Sequence, residues 1–240
     1  MVNHDRPAQS DVLAKVRALL AKAESTQFEA EAEALTAKAQ ELMARHRIEA
    51  AMLDTGGRSR RDGPTSRVVV IDDPYADAKA MLLSAVADAN GCSAVWSKAS
   101  RRATVFGFAD ELAGTELLFT SLLVQSATAL HRAGPQIDRY GRSRTKRFRR
   151  AVLIAVAVRV GERLRAAVGA MVDDEQSTSG ADLVPVFARR DAEVEAAARA
   201  AFPDARSRTT SVSDAGGWHA GTAFGDQADL GTTRRDPLRA

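Results

Sequence analysis

Seven of the twelve residues from Arg139 to Arg150 are basic: Arg139, Arg142, Arg144, Lys146, Arg147, Arg149 and Arg150. No acid interrupts them, and Tyr140 and Phe148 are interleaved. Cations at this density attract phosphate backbones by Coulomb force and by counterion release. An aromatic ring beside arginine can stack on a base. These seven side chains, with Tyr140, therefore point to contact with DNA or RNA. The competing reading is a solvated loop balanced by acids elsewhere, such as Asp173, Asp174 and Glu175. No zinc-finger, RNA-recognition or helix-turn-helix pattern accompanies the segment.

Other residue types that could do chemistry are scattered. A hydrolase or nuclease would need Asp72, Asp73, His131 or His219 brought together by folding. Asp72 and Asp73 precede Pro74, where they read more simply as helix caps. His46 and His131 read as helix-end residues, His4 lies in a polar leader, and His219 follows Trp218 in a glycine-rich tail. No HExxH, no GxGxxG and no phosphate-loop pattern occurs, so no metal and no cofactor is expected. Cys92 is the one cysteine, which excludes a disulfide framework. It reads as a buried, inert thiol.

Charge is unevenly spread. Residues 58–150 carry 16 basic and 9 acidic side chains, while the chain as a whole is only +3. The longest apolar run, Ala151 to Val158, is far short of the roughly 20 residues that span a membrane. No secretory signal is read in the polar first residues. A cytoplasmic protein without membrane association is the expectation.

These residues must be positioned by helices for the most part. Val12, Leu13, Val16, Leu19, Leu20 and Ala23 repeat at helical spacing. Ser10 or Asp11 is the expected cap of that helix. A second helix is predicted over 28–49, and the short link between the two makes an antiparallel hairpin. Residues 55–66 read as an exposed linker. A strand at 67–71, a helix at 74–90 and a β-hairpin from strands at 92–97 and 103–108 follow. Helices are then expected at 110–132, with Asp110 as cap, at 145–171, and from 183 or 185 to before Pro203. Residues 134–144 and 173–182 read as loops. Gly217, Gly221 and Gly225 recur every four residues, which suits one short helix at 214–228 packed closely on another. A flexible tail is the alternative.

The runs VLAKVRALLAKAEST and EAEALTAKAQELMARHRI resemble a family of bacterial and phage proteins known as domain of unknown function 2786. Lys15, Leu19, Leu20, Ala23, Glu24, Ser25 and Thr26 carry the first part of the likeness. Glu31, Ala32, Ala37, Ala39, Leu42 and Met43 carry the second. VFGFADELAGTELLFTSLL and the glycine-spaced tail resemble the region that often follows this hairpin. The resemblance implies no activity, cofactor or catalytic residue; its phage members favour a nucleic-acid role by association.

The expected fold is α+β and mostly helical. It comprises a helical hairpin at 8–54, a linker at 55–66, an α+β domain at 67–203 and a tail at 204–240. Within the second part, a small antiparallel sheet packs with long helices. The hairpin is too small to stand alone, so it must pack on the rest of the chain, a partner helix or a second copy. The leading functional reading is a non-enzymatic, nucleic-acid-associated protein. An interaction or assembly module, using the hairpin and tail to bind a protein partner or itself, is the alternative.

Overall fold

The computed structural model describes residues 5–55, 63–206 and 210–227. The described residues form seven helices and three strands: α1 (Asp5–Ser25), α2 (Glu29–Thr55), β1 (Thr65–Val70), α3 (Ala76–Ala89), β2 (Ser93–Ser97), β3 (Arg102–Gly107), α4 (Ala109–Arg132), α5 (Thr145–Ser179), α6 (Val184–Ala201) and α7 (Ala215–Gln227). The expected α+β class and the N-terminal hairpin are present. Most of the predicted linker, residues 56–62, lies outside the described residues, as does His4.

The hairpin turns on Thr26. Its hydroxyl donates to Glu31 at 2.6 Å and accepts from the Phe28 backbone N–H at 3.2 Å. Lys22 pairs with Glu31 at 3.1 Å across the same turn. The Thr26 hydroxyl first, then Lys22, hold the Glu31 carboxyl below the usual carboxylate range. The hairpin's apolar side does not await a partner. Val16, Leu20 and Ala39 are buried in the same core as Leu83 of α3, Val105 of β3, Leu118 of α4 and Val156 of α5.

The sheet has the order β1-β3-β2 and is antiparallel throughout. Val69, Ala103 and Trp96 lie side by side across it, as do Arg67, Val105 and Ala94. Ala103 and Val105 face the main core. On the other face Phe106 packs with Phe108, Val194 and Ala198, the last two from α6. Phe202 meets Phe106 edge to face, with ring centroids 6.0 Å apart.

α5 is the spine, with α3 and α7 against it. Residues 151–157 are all buried, because helices cover this stretch on several sides. Small residues let them approach. A Cβ at Gly161 would stand 2.9 Å from Ala85 Cβ of α3. The glycine-spaced tail resolves in favour of the helix. A Cβ at Gly217 would meet the Phe148 carbonyl oxygen at 2.5 Å, and one at Gly221 would meet Ala155 Cβ at 2.8 Å. Gly225 lies equally close on Arg159.

Several local expectations are corrected. α1 begins at Asp5, so Ser10 and Asp11 lie inside it and cap nothing. α3 starts after Tyr75, at φ 66, with no side-chain cap. Asp73 instead pairs with Arg101 at 3.0 Å, and the Asp72 carbonyl accepts from Lys79. Phe108, not Asp110, precedes α4, and its N–H is met by the Glu111 carboxylate. α2 runs on to Thr55, which leaves His46 well inside it. The predicted loop at 173–182 is largely helix, because α5 continues to Ser179. Ser177, Thr178 and Ser179 each donate to the carbonyl four residues back, so hydroxyls that could have broken the helix bond to it instead. Gly180, at φ 68, ends it.

Candidate nucleic-acid interface

The basic segment begins in a tight loop after α4. Ile137 and Ser143 form an isolated antiparallel bridge. Between them, Asp138 accepts from the backbone N–H groups of Tyr140 and Arg142 at 2.8 and 2.9 Å. Gly141, at φ 77, closes the turn. The Arg142 N–H first, then that of Tyr140, hold the Asp138 carboxyl below its ordinary value despite some desolvation. This loop displays Tyr140, which is 65% exposed. The guanidinium carbons of Arg139 and Arg142 lie 4.7 and 5.2 Å from its ring centroid. Both arginines are thereby pre-set around an open aromatic face.

The eight predicted residues do not form one surface. Arg144 turns inward and donates to both carboxylate oxygens of buried Asp214, at 3.0 and 3.2 Å. Arg150 donates to Asp77 from two nitrogens, at 2.9 and 2.5 Å, and to the Ser211 carbonyl. These two arginines fasten α5 to α3 and to the chain before α7. The acids that balance the segment are thus Asp138, Asp214 and Asp77. Asp173, Asp174 and Glu175 lie near the far end of α5 and do not take part.

Arg139, Lys146 and Arg147 are exposed and form no salt bridge among the described residues, although Arg147 lies near enough to Asp138 to help lower its carboxyl. Arg142 is paired with Asp138, yet its side chain is 75% exposed. Arg149 is half-buried. It lines a groove of about 440 Å3 between α3, α4 and α5, together with Tyr75, Lys79 and His131. Sequence reading missed this groove. Tyr75 could have been suspected only from its place at the turn before α3, and Lys79 from the first turn of that helix.

A second polar centre lies at the other end of the molecule, and no motif announced it. Arg190 donates to Glu111 at 2.5 Å, with both side chains almost wholly buried. Arg47 Nε stands 3.6 Å from the same Glu111 oxygen, and Arg47 also donates to Asp191 at 2.9 Å. Arg47 lies over the Phe187 ring and Arg190 over that of Phe108. Gly91 leaves room for the Arg47 guanidinium, which a Cβ there would strike. Burial pushes the Glu111 carboxyl above its ordinary value, and Arg190 and then Arg47 offset part of that rise. The adjoining cavity is only about 50 Å3. That holds little more than a water or two. The centre joins α2, α4 and α6 rather than receiving a ligand.

The remaining candidates lie on separate elements. His219 is exposed on α7, His131 lies on the groove, and Asp73 is held by Arg101. Among the described residues, no three His, Cys, Asp or Glu side chains gather where they could hold a metal ion. Cys92 is buried and accepts from the Thr115 hydroxyl at 3.7 Å. Burial, helped by nearby Glu111, pushes its thiol up to about 12. The thiolate is the reactive form, so Ellman's reagent at pH 8 is expected to leave the native thiol untouched and to titrate one thiol per chain in denaturant. An unfolded cysteine ionises near 8.5. Stability therefore falls as pH rises above about 8.5 toward 12.

No helix among the described residues is long and apolar enough to cross a membrane. The hairpin's apolar side packs in the core, and the glycine side of α7 packs on α5.

Residues 11–50 match the model of a family described as Protein of unknown function (DUF2786). The match covers most of α1 and α2, including the Thr26–Glu31 turn. No curated protein and no solved structure matches the chain.

Proposed function

We propose that this protein binds nucleic acid without transforming it. It would grip phosphates where the loop after α4 meets the start of α5, and Tyr140 would stack on a base. One observation carries the reading. Arg139 and Lys146 stand in solvent without a carboxylate partner among the described residues, and Arg147, exposed near Asp138, forms no salt bridge to it, while Arg144 and Arg150 anchor the backbone beneath them. Cations held on a fastened scaffold bind phosphates with less ordering cost than a loose loop does. The reading places the protein in the cytoplasm, with DNA or RNA as its partner.

The test is fluorescence anisotropy of labelled single-stranded DNA, duplex DNA and RNA across a salt series. The expected result is binding that weakens steeply with salt. The triple variant R139Q/K146Q/R147Q should flatten the slope of log K against log salt by roughly 2–3. Absence of binding at about 50 mM salt, or a slope unchanged in the variant, would overturn the reading. Arg144→Gln and Arg150→Gln should act differently, lowering thermal stability because each leaves a carboxylate without its partner.

A further inference from the structure

The groove between α3, α4 and α5 differs from the basic loop beside it. Its volume of about 440 Å3 falls within the range of roughly 300–1,000 Å3 common for small-ligand sites. Its walls are apolar, with Val124 of α4 and Leu153 of α5 among them, and they include the Tyr75 ring. The charged or ionisable polar groups that line it are Lys79, His131 and Arg149, and no carboxylate does. Arg149 Nε is buried and meets no hydrogen-bond acceptor in the structure. Lys79 gives one hydrogen to the Asp72 carbonyl at 2.9 Å and keeps two to offer. The site is therefore built for a body that is flat or apolar and bears negative charge at its edge.

The groove adjoins the basic segment, because Arg149 belongs to both. Lys146 stands three residues before Arg149 on α5, so the two side chains are neighbours along one helix face. A ligand with one charged head would be satisfied by the rim alone. Cations continuing beyond the rim suit a chain of repeating phosphates.

We infer that this groove takes an unstacked base of a single-stranded nucleic acid, with the adjoining phosphates on Lys79, Arg149 and Lys146. The inference rests on the nucleic-acid reading above and gives it a strand preference. In a duplex the bases are paired and stacked, so the groove stays empty and only the loop engages. A flexible single strand can turn one base out and in.

The probes are a fluorescein-labelled 12-mer of oligothymidylate and a duplex with the same number of phosphates, each titrated at two salt concentrations. Stacking of one base on such a site is worth about tenfold in affinity, so the single strand is expected to bind about tenfold more tightly. Ala127 lines the groove and is exposed on α4, so Ala127→Leu narrows it from the solvent side. Leucine keeps the helix, and thermal denaturation checks that the fold is intact. The variant should bring the two probes to parity, with duplex affinity and its salt slope unchanged. Arg149→Gln should weaken the single strand more than the duplex. Equal binding of both probes by the native protein would overturn the groove inference and leave phosphate binding standing. A preference that survives Ala127→Leu would do the same. Failure of both probes to bind would remove both readings.

Discussion

Glu111→Ala is expected to destabilise the fold by about 3–5 kcal/mol, the largest effect of any single substitution considered. The side chain meets Arg190 at 2.5 Å and Arg47 at 3.6 Å, and Arg190 is only 4% exposed. Removing the carboxylate strips a buried guanidinium of its main counter-charge. It also removes the carboxylate acceptor that meets the Phe108 N–H at the start of α4. For a chain of this length, that loss lowers Tm by roughly 10 °C, read by circular dichroism. Glu111→Gln keeps an acceptor and should lose less. The triple variant R47M/E111L/R190M should cost less than Glu111→Ala alone, since most of the burial penalty leaves with the charges, although Asp191 then loses Arg47. A single-alanine variant as stable as the native protein would show that water reaches the centre freely.

Gly221→Leu is expected to lift α7 from α5. Its side chain would be driven into the Val152 carbonyl oxygen and Ala155 Cβ, and backbone cannot move aside as a side chain tip can. Overpacking of this kind costs about 1–3 kcal/mol when the contact survives, and detachment is the way to avoid it. Detachment would expose the chain near 210–214 and free Asp214 from Arg144. Limited proteolysis should then cut there, while the native protein resists. Gly169→Ala is the control. It lies on α5 with nothing within 4 Å, so the change should stabilise by about 0.5–1 kcal/mol through helix propensity alone. Unaltered protease resistance in Gly221→Leu would mean that the two helices are less tightly joined than their spacing indicates.

Much of this architecture was readable from local pattern. Val16 and Leu20 repeat at helical spacing and are buried in α1. The β-branched and aromatic run from Ala103 to Phe106 pairs with Ser93 to Trp96 as a hairpin should. The four-residue spacing of Gly217, Gly221 and Gly225 pointed to a close helix contact, with a flexible tail as the alternative, and the contact is formed. What escaped was set by distance along the chain. The pairing of β1 with β3 rather than β2 depends on the α3 crossover, and no local spacing encodes it. Arg144 finds Asp214 70 residues away, and Arg150 finds Asp77 73 residues away. Seven basic residues among twelve look alike on paper, and only these remote carboxylates divide the anchors from the exposed cations. Glu111 and Arg190 are 79 residues apart. A signal for Arg190 did exist. It falls on the face of α6 that carries Leu183, Phe187, Val194 and Ala198, where an arginine should be surrounded by apolar groups.

α5 also has an energetic peculiarity. At 35 residues it is about 52 Å long, with Lys146, Arg147, Arg149 and Arg150 in its first turns and Asp173, Asp174 and Glu175 near its end. This order is the reverse of what the helix field prefers. Aligned peptide dipoles leave the start of a helix partly positive and its end partly negative, so a misplaced surface charge in the first turn, here Lys146 or Arg147, costs about 0.3–1 kcal/mol at low salt. Sequences chosen for stability alone put acids first and bases last. Here the backbone N–H groups and the side chains push the potential at one end of the spine the same way. An arriving anion relieves that repulsion as well as making its own contacts, so the free protein holds in reserve part of what binding would release.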